Sequence, residues 1–162
     1  MPTDQHVEML WETPSHEDIV ELTKAHVAAM ESGSTDDAIW QQVGMHHVLL
    51  HTIGRKSGNE HKCALPTWRD PDGVRVVVGS FAGATSHPSW VWNMMDREAN
   101  PRVRIKHQTG EYWSDHEILE GGDDRDRLWA LLLEDRAWYA DYQAKTDRTI
   151  CLIRLPETEV IS

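Results

Sequence analysis

Gly54-Arg55-Lys56-Ser57-Gly58 is the stretch of this sequence richest in groups that can hold an anion. Two glycines bracket two cations and a hydroxyl. Glycine permits positive φ and leaves backbone N–H groups open. Arg55 and Lys56 supply charge, and Ser57 supplies another donor. Such a connection suits a phosphate or a carboxylate. The plainer reading is a hairpin turn with solvated charges, since these residue types are common in turns. Other reactive groups are scattered. There are ten histidines, but His46 and His47 are adjacent and point to opposite faces of a strand. His47 and His51 can share a face, yet no Cys or carboxylate stands at ligand spacing, so no metal is expected. No Gly-x-Ser-x-Gly elbow and no Gly-x-Gly-x-x-Gly fingerprint occurs. Cys63 lies mid-strand with nothing to activate its thiol. Chemistry is therefore expected to come from a bound organic cofactor.

Composition narrows the partners. The chain has 162 residues, enough for one domain with its own core. Its formal net charge of -11 argues against a nucleic-acid partner and makes the cations at Arg55 stand out. Two cysteines form no disulfide framework, which points to a reducing cytoplasm. No run approaches membrane-spanning length and the first residues are polar. Eight Trp against one Phe offer large flat surfaces, which suit both aromatic-ligand walls and cores.

The elements that must position these groups can be read in order. Residues 1–14 read as an irregular arm. Ser15 caps an amphipathic helix to about Glu31, and Thr35 caps a short second helix over Asp36 to Gln42. The first helix has an acidic polar face, so packing on its own domain is expected over lying on a membrane, though a peripheral inner-face location stays open. Strands are predicted over Met45 to Thr52, Lys62 to Arg69, Val74 to Val78, Arg102 to Lys106, Glu111 to Leu119 and Thr149 to Leu155. Val74 to Val78 is β-branched and is expected to be buried on both faces. Helices are expected after Pro88, from Asp123, and over Trp138 to Tyr142. Pro156 onward reads as a tail. Short strands with helices at the edges suggest a mainly β fold, a closed or split β-barrel in one domain. Its expected parts are an arm and helices over 1–44, the cofactor-binding barrel over 45–156, and a tail over 157–162.

An ordered set of segments then carries a resemblance. Gly54-Arg55-Lys56-Ser57-Gly58 is followed by Val77-Val78-Gly79-Ser80 and Ala82-Gly83-Ala84. His87-Pro88-x-Trp90-x-x-Asn93, Ala99-Asn100-Pro101-x-Val103, Tyr139-x-x-Tyr142-Gln143 and Thr146-Asp147-Arg148-x-Ile150 come next. This string resembles the deazaflavin-dependent nitroreductase and quinone reductase family of actinobacteria, across about Leu49 to Leu155. The resemblance implies a split β-barrel that binds coenzyme F-420, an 8-hydroxy-5-deazaflavin with a phospholactyl polyglutamate tail. It implies hydride transfer to quinones, nitroaromatics or similar electron-poor acceptors. Arg55, Lys56 and Ser57 match the tail-binding loop. His61, Lys62, Cys63, Ala64, Leu65 and Pro66 match the next cofactor-lining strand. Val78, Gly79, Ser80 and Phe81 match the segment along the ring. Ser89, Trp90, Val91, Trp92 and Asn93 match a helix start at the cofactor. Tyr139 and Tyr142 match the wall of the acceptor site, with Tyr139 offering its hydroxyl and Ser80 lying beside the ring.

The sequence departs from the pattern around the expected acceptor pocket. Phe81, Ser86 and Arg136 stand where a small polar residue or Lys, a Lys, and an aromatic are usual. Three additional residues sit between Asn93 and Ala99. Two other readings stay open: an FMN-binding barrel oxidoreductase, and a non-catalytic carrier of the deazaflavin or an apolar ligand.

Overall fold

A computed structural model describes residues 5–161. Ser15 caps as expected: its hydroxyl accepts from the Asp18 N–H at 3.1 Å and opens α1 (His16–Glu31). Only the last turn of α1 is deeply packed, through Met30. Asp36, and not Thr35, caps α2 (Asp37–Trp40), because its carboxylate reaches the Ala38 N–H at 3.0 Å.

The chain then builds two antiparallel sheets. The first contains β1 (Gln41–Gln42), β2 (Met45–Ile53), β3 (Glu60–Pro66), β6 (Val103–His107), β7 (Gly110–Ser114) and β10 (Glu159–Val160). Its order is β1-β2-β6-β7-β10, with β3 paired along the rest of β2. The second contains β4 (Trp68–Arg69), β5 (Arg75–Val78), β8 (Glu117–Leu119) and β9 (Leu152–Leu155), in the order β4-β5-β9-β8. Around them lie α3 (Ser89–Met95), α4 (Asp123–Asp135) and α5 (Tyr139–Ala144). The fold is mostly β with peripheral helices in one domain, and the two sheets stay separate. Among the described residues, no helix is long and apolar enough to cross a membrane.

Two predicted strands turn out to be pairs. Residues 62–69 divide at Thr67, and residues 111–119 divide at Asp115 and His116. At each break the chain leaves the first sheet and enters the second. Thr67 turns its N–H and hydroxyl onto one acceptor, the His46 carbonyl, at 2.8 and 3.1 Å. At the other break, the Asp115 N–H donates to the Thr158 hydroxyl, and Arg97 donates to the His116 carbonyl. The final residues are also more ordered than a tail. Glu159 and Val160 pair with Trp113 and Tyr112 and extend the first sheet.

Burial follows the strand period. Val77 and Ile153 face Val48, Leu50, Val103 and Ile105 between the sheets. Val76 and Leu152, one residue away, face Leu128, Leu132, Trp129, Tyr139 and Tyr142 from the helices. The β5 interior is therefore buried on both sides, as its β-branched run predicts. The stretch before α1 is irregular yet firmly packed. Val7, Met9 and Trp11 lie on the helical side of this core. The Val7 N–H donates to the Asp135 carbonyl at 2.9 Å, and Trp11 meets Trp138 edge-on at 5.2 Å.

Candidate active site

The Gly54–Gly58 loop closes on itself. The Gly54 N–H donates to Asn59 O at 2.8 Å, and the Gly58 N–H to Gly54 O at 2.9 Å. A Cβ on Gly54 would stand 2.6 Å from both the Ser57 hydroxyl and His61 Nε2, so a side chain there would push these two exposed side chains out of their contact. Ser57 and His61 are turned to each other at 3.3 Å, and Ser57 also accepts from the Asn59 N–H.

Two buried asparagines pin the loop to α3. Asn100 accepts from the Ile53 N–H at 2.7 Å and donates to the carbonyls of Ile53 and Asn93, both at 2.8 Å. Asn93 accepts from the Arg55 N–H at 3.2 Å and from Arg55 Nη1 at 3.1 Å, and it donates to Thr52. Asn93 thus orients the loop from below. Asn100 was legible in sequence only as the residue before a helix-stopping proline.

The cations differ in availability. Arg55 and Lys56 are exposed and, among the described residues, make no ion pair. Lys62 on β3 is already engaged, 2.8 Å from Glu31 and 3.8 Å from Glu60. That contact holds the Glu31 carboxyl below its usual range and raises the Lys62 ammonium. Cys63 is the only member of β3 with a thiol, and burial pushes it up to about 12, so it stays protonated and unreactive. Ala64 is buried against Leu49 and Met30, while Leu65 and Pro66 are half-buried.

On the other side of α3 the chain makes a strained turn after β5. Phe81, Ala82 and Gly83 have φ of 42°, 52° and 81°. Two successive non-glycine residues in the left-handed region cost about 1–2 kcal/mol each and need external support. Arg148 gives it. Its guanidinium donates to the carbonyls of Gly79 at 3.0 Å, Ser80 at 2.9 Å and Ala84 at 2.8 Å. Gly79 packs so tightly that a Cβ there would stand 2.7 Å from Cys151 Sγ and 3.1 Å from Val91 of α3. Ser80 is buried, and its hydroxyl has no protein partner among the described residues. Val78 is half-buried at the end of β5. Helix α3 therefore links both features, Asn93 to the cation loop and Val91 to the turn. Its other faces carry Ser89 and Trp92 toward solvent, with Trp92 edge-on to His87 at 5.0 Å, and a half-buried Trp90.

The tyrosine pair lies beyond the turn. A Cβ on Gly83 would meet the Tyr142 carbonyl at 2.6 Å, so α5 packs directly on the turn. Tyr139 and Tyr142 are both buried, ring to ring at 5.8 Å, and Tyr139 also meets Trp138 at 5.2 Å. Burial pushes the Tyr139 hydroxyl up to about 12. It remains a protonated donor near neutrality. The Tyr142 hydroxyl reaches the Thr13 hydroxyl at 3.2 Å, and His16 meets Phe81 at 4.7 Å. The arm before α1 and the first turn of α1 thus cover the turn and the tyrosines.

The comparisons fall on this same frame. The family described as F420H(2)-dependent quinone reductase matches residues 23–156. A Mycobacterium tuberculosis F420H(2)-dependent quinone reductase is 32% identical over 110 residues, 67% of this chain and 71% of that protein. The chain belongs to the F420H(2)-dependent quinone reductase family. Among solved structures, one described as an F420-H2 dependent reductase (FDR-A) superposes with a TM-score of 0.55 at 33% identity, covering 68% of this chain and 93% of that one. A structure described as a domain-swapped dimer gives 0.58 at 30% identity, covering 88% and 100%. Membership makes the protein an oxidoreductase whose cofactor is coenzyme F-420. The residues fit that group. An anionic tail needs unpaired cations, and Arg55 and Lys56 are unpaired. A polar heterocycle needs donors, and the Ser80 hydroxyl has no partner among the described residues.

Proposed function

We propose that the protein transfers a hydride from reduced coenzyme F-420 to a quinone, with the cofactor held across the cation loop, α3 and the Gly79–Ala84 turn. The observation that carries this placement is the cation loop, in which Arg55 and Lys56 make no ion pair among the described residues and Arg55 is held by Asn93 on the helix that also supports the turn. On this reading the two sheets are the halves of a split β-barrel. Residues 45–156 carry the cofactor, and the stretch before them shapes the acceptor side. Family membership favours the deazaflavin over FMN and over a non-catalytic carrier. A nitroaromatic acceptor extends the same reading, since it too is a flat, electron-poor oxidant.

When bound, the deazaflavin supplies the hydride. The chain then has four tasks. Arg55 and Lys56 hold the anionic tail, aided by Ser57 and the β3 edge from His61 to Pro66. Ser80 donates toward the ring, and Phe81, Trp90 and Trp92 border it. Tyr139 offers a protonated hydroxyl to the acceptor oxygen that gains charge, and Tyr142 orients it. Arm residues 5–14 keep water from the acceptor face.

The direct test is a cofactor panel. Purified protein is expected to bind reduced F-420 and to oxidise it on addition of menadione, with no turnover of reduced FMN or NADPH. Turnover with FMN, or tight F-420 binding without turnover on any quinone, would overturn the reading.

Tyr139→Phe separates a catalytic hydroxyl from a core ring. It keeps the ring packing against Trp138 and Tyr142 and deletes one oxygen. Positioned proton donation contributes typically about 10²–10⁴-fold. The expected result is a fall in kcat of about 10²-fold with the F-420 dissociation constant and the unfolding midpoint unchanged. Lowered stability with unchanged turnover per folded molecule would show the tyrosine to be structural.

A further inference from the structure

A cavity of about 420 Å³ opens at the opposite end of β2 from the cation loop. His47 stands at one end of that strand, and Gly54 follows the other. Seven residues of extended chain separate them by roughly 23 Å. Of the residues assigned above to the cofactor or the acceptor side, only Gln5 of the arm lines this cavity, together with Arg136, which departs from the family pattern.

Its walls are strongly basic in an acidic protein. Arg69, Arg75, Arg136, His46, His47 and His107 line it, and among the described residues no Asp or Glu does. The three guanidinium groups are poorly neutralised. Arg136 is 2% exposed, and no carboxylate lies within ion-pairing reach of it among the described residues. Its Nε and Nη1 donate to the carbonyls of Gln5 at 3.3 Å and Thr67 at 2.7 Å, which leaves Nη2 without a partner among the described residues. The neighbouring Asp135 accepts from the Trp68 indole at 2.7 Å. Arg69 and Arg75 stand directly opposite each other on β4 and β5, a like-charge pairing that destabilises a sheet. Among the described residues Arg75 has one carboxylate partner, Glu157 at 2.9 Å, and stands over the Tyr112 ring at 5.5 Å, while the Arg69 guanidinium has only the Gly73 carbonyl. Three cations against one carboxylate leave two positive charges facing the cavity. A buried, unpaired charge is costly unless something of opposite sign reaches it. Partial desolvation and the nearby Arg75 charge both disfavour the charged state of the exposed Arg69, and burial does so for Arg136. The histidines do not provide a different explanation, because no group of three or more His, Cys, Asp or Glu among the described residues could hold a metal.

We infer that this cavity is a second ligand site, one that takes a small organic polyanion carrying at least two phosphate or carboxylate charges. Planar guanidinium forks match both oxyanions, and the volume falls in the range of small-molecule sites. The site is separate from the F-420 tail loop and does not depend on where the tail binds.

Calorimetric titration at low ionic strength tests it, with pyrophosphate and citrate as probes. Titrations use the wild-type protein, the Arg55→Ser/Lys56→Ser double variant and Arg69→Gln. The double variant removes the other exposed cation cluster, so binding that survives in it belongs to the cavity. At least one probe is expected to bind the double variant with wild-type affinity for one site, and the stronger probe identifies phosphate or carboxylate as the preferred charge. Arg69→Gln is expected to weaken that site tenfold or more. Arg69 is exposed, so its folding is expected to be intact, and its unfolding midpoint without ligand verifies this. Loss of all binding in the double variant, or unchanged affinity in Arg69→Gln, would overturn the inference.

Discussion

The Arg55→Ser/Lys56→Ser protein is expected to bind coenzyme F-420 about a hundredfold more weakly than wild type. Each lost charged hydrogen bond to an anion is worth about 1.5–3 kcal/mol. Both side chains are exposed, and solvent screening puts them at the low end of that range, about tenfold each. Arg55 has a second role, since its Nη1 also donates to Asn93. The single variants therefore separate two effects. Lys56→Ser tests charge alone, while Arg55→Ser also loosens the loop. Raising the salt from 50 to 300 mM should weaken wild-type binding several-fold and barely change the double variant, because the screened charges are then already gone. Equal affinity for both proteins would place the tail elsewhere. Thermal unfolding without cofactor serves as the folding control, because the Asn100 contacts to Ile53 hold the loop base in either case.

How far the sequence reaches is clearest at the sheet switches. Met45 to Ile53 and Val103 to His107 carry their own alternation or apolar run and were legible to within a residue. Residues 62–69 and 111–119 were also legible as β, but not as two strands each. Alternation reports that a residue is extended and which face is apolar. It does not report which neighbour the strand pairs with, and the switches at Thr67 and Asp115 are fixed by partners 21 and 43 residues away. The same holds for the site. The cation loop announces itself by two glycines around Arg55 and Lys56. The groups that hold it, Asn93 and Asn100, act through buried amides whose targets are 38 to 47 residues distant. The basic cavity is assembled from the start of β2, the β4–β5 pair, the end of β6 and the residue after α4. No stretch of sequence contains more than two of its cationic side chains, so no local motif marks it. Arg136 was visible only as a departure from an aromatic pattern, and its burial gives that departure a physical content.

Arg148→Met is expected to lower the unfolding midpoint by roughly 6–12 °C and to abolish measurable F-420 binding, from a loss of about 3 kcal/mol. The argument starts from the turn. Phe81 and Ala82 sit in left-handed backbone that ordinary side chains disfavour, and the carbonyls of Gly79, Ser80 and Ala84 point inward. One guanidinium satisfies all three. Methionine fills similar volume but leaves the Gly79 and Ala84 carbonyls without a donor and the Ser80 carbonyl with only the Gly83 N–H, and the strained turn loses what opposes its relaxation. Three charged hydrogen bonds would sum to more than 3 kcal/mol, but Arg148 is half-buried and water can replace part of each bond. Arg148→Lys is the sharper comparison. A single ammonium keeps the charge but cannot reach three carbonyls as a planar fork does. If Arg148 acts by shaping the turn, lysine should recover solubility and part of the midpoint while F-420 affinity stays at least tenfold below wild type. If Arg148 instead serves only as a positive charge near the cofactor, lysine should restore affinity nearly in full. Retention of both midpoint and affinity in Arg148→Met would show that the turn holds its shape through Gly79 and Gly83 packing alone.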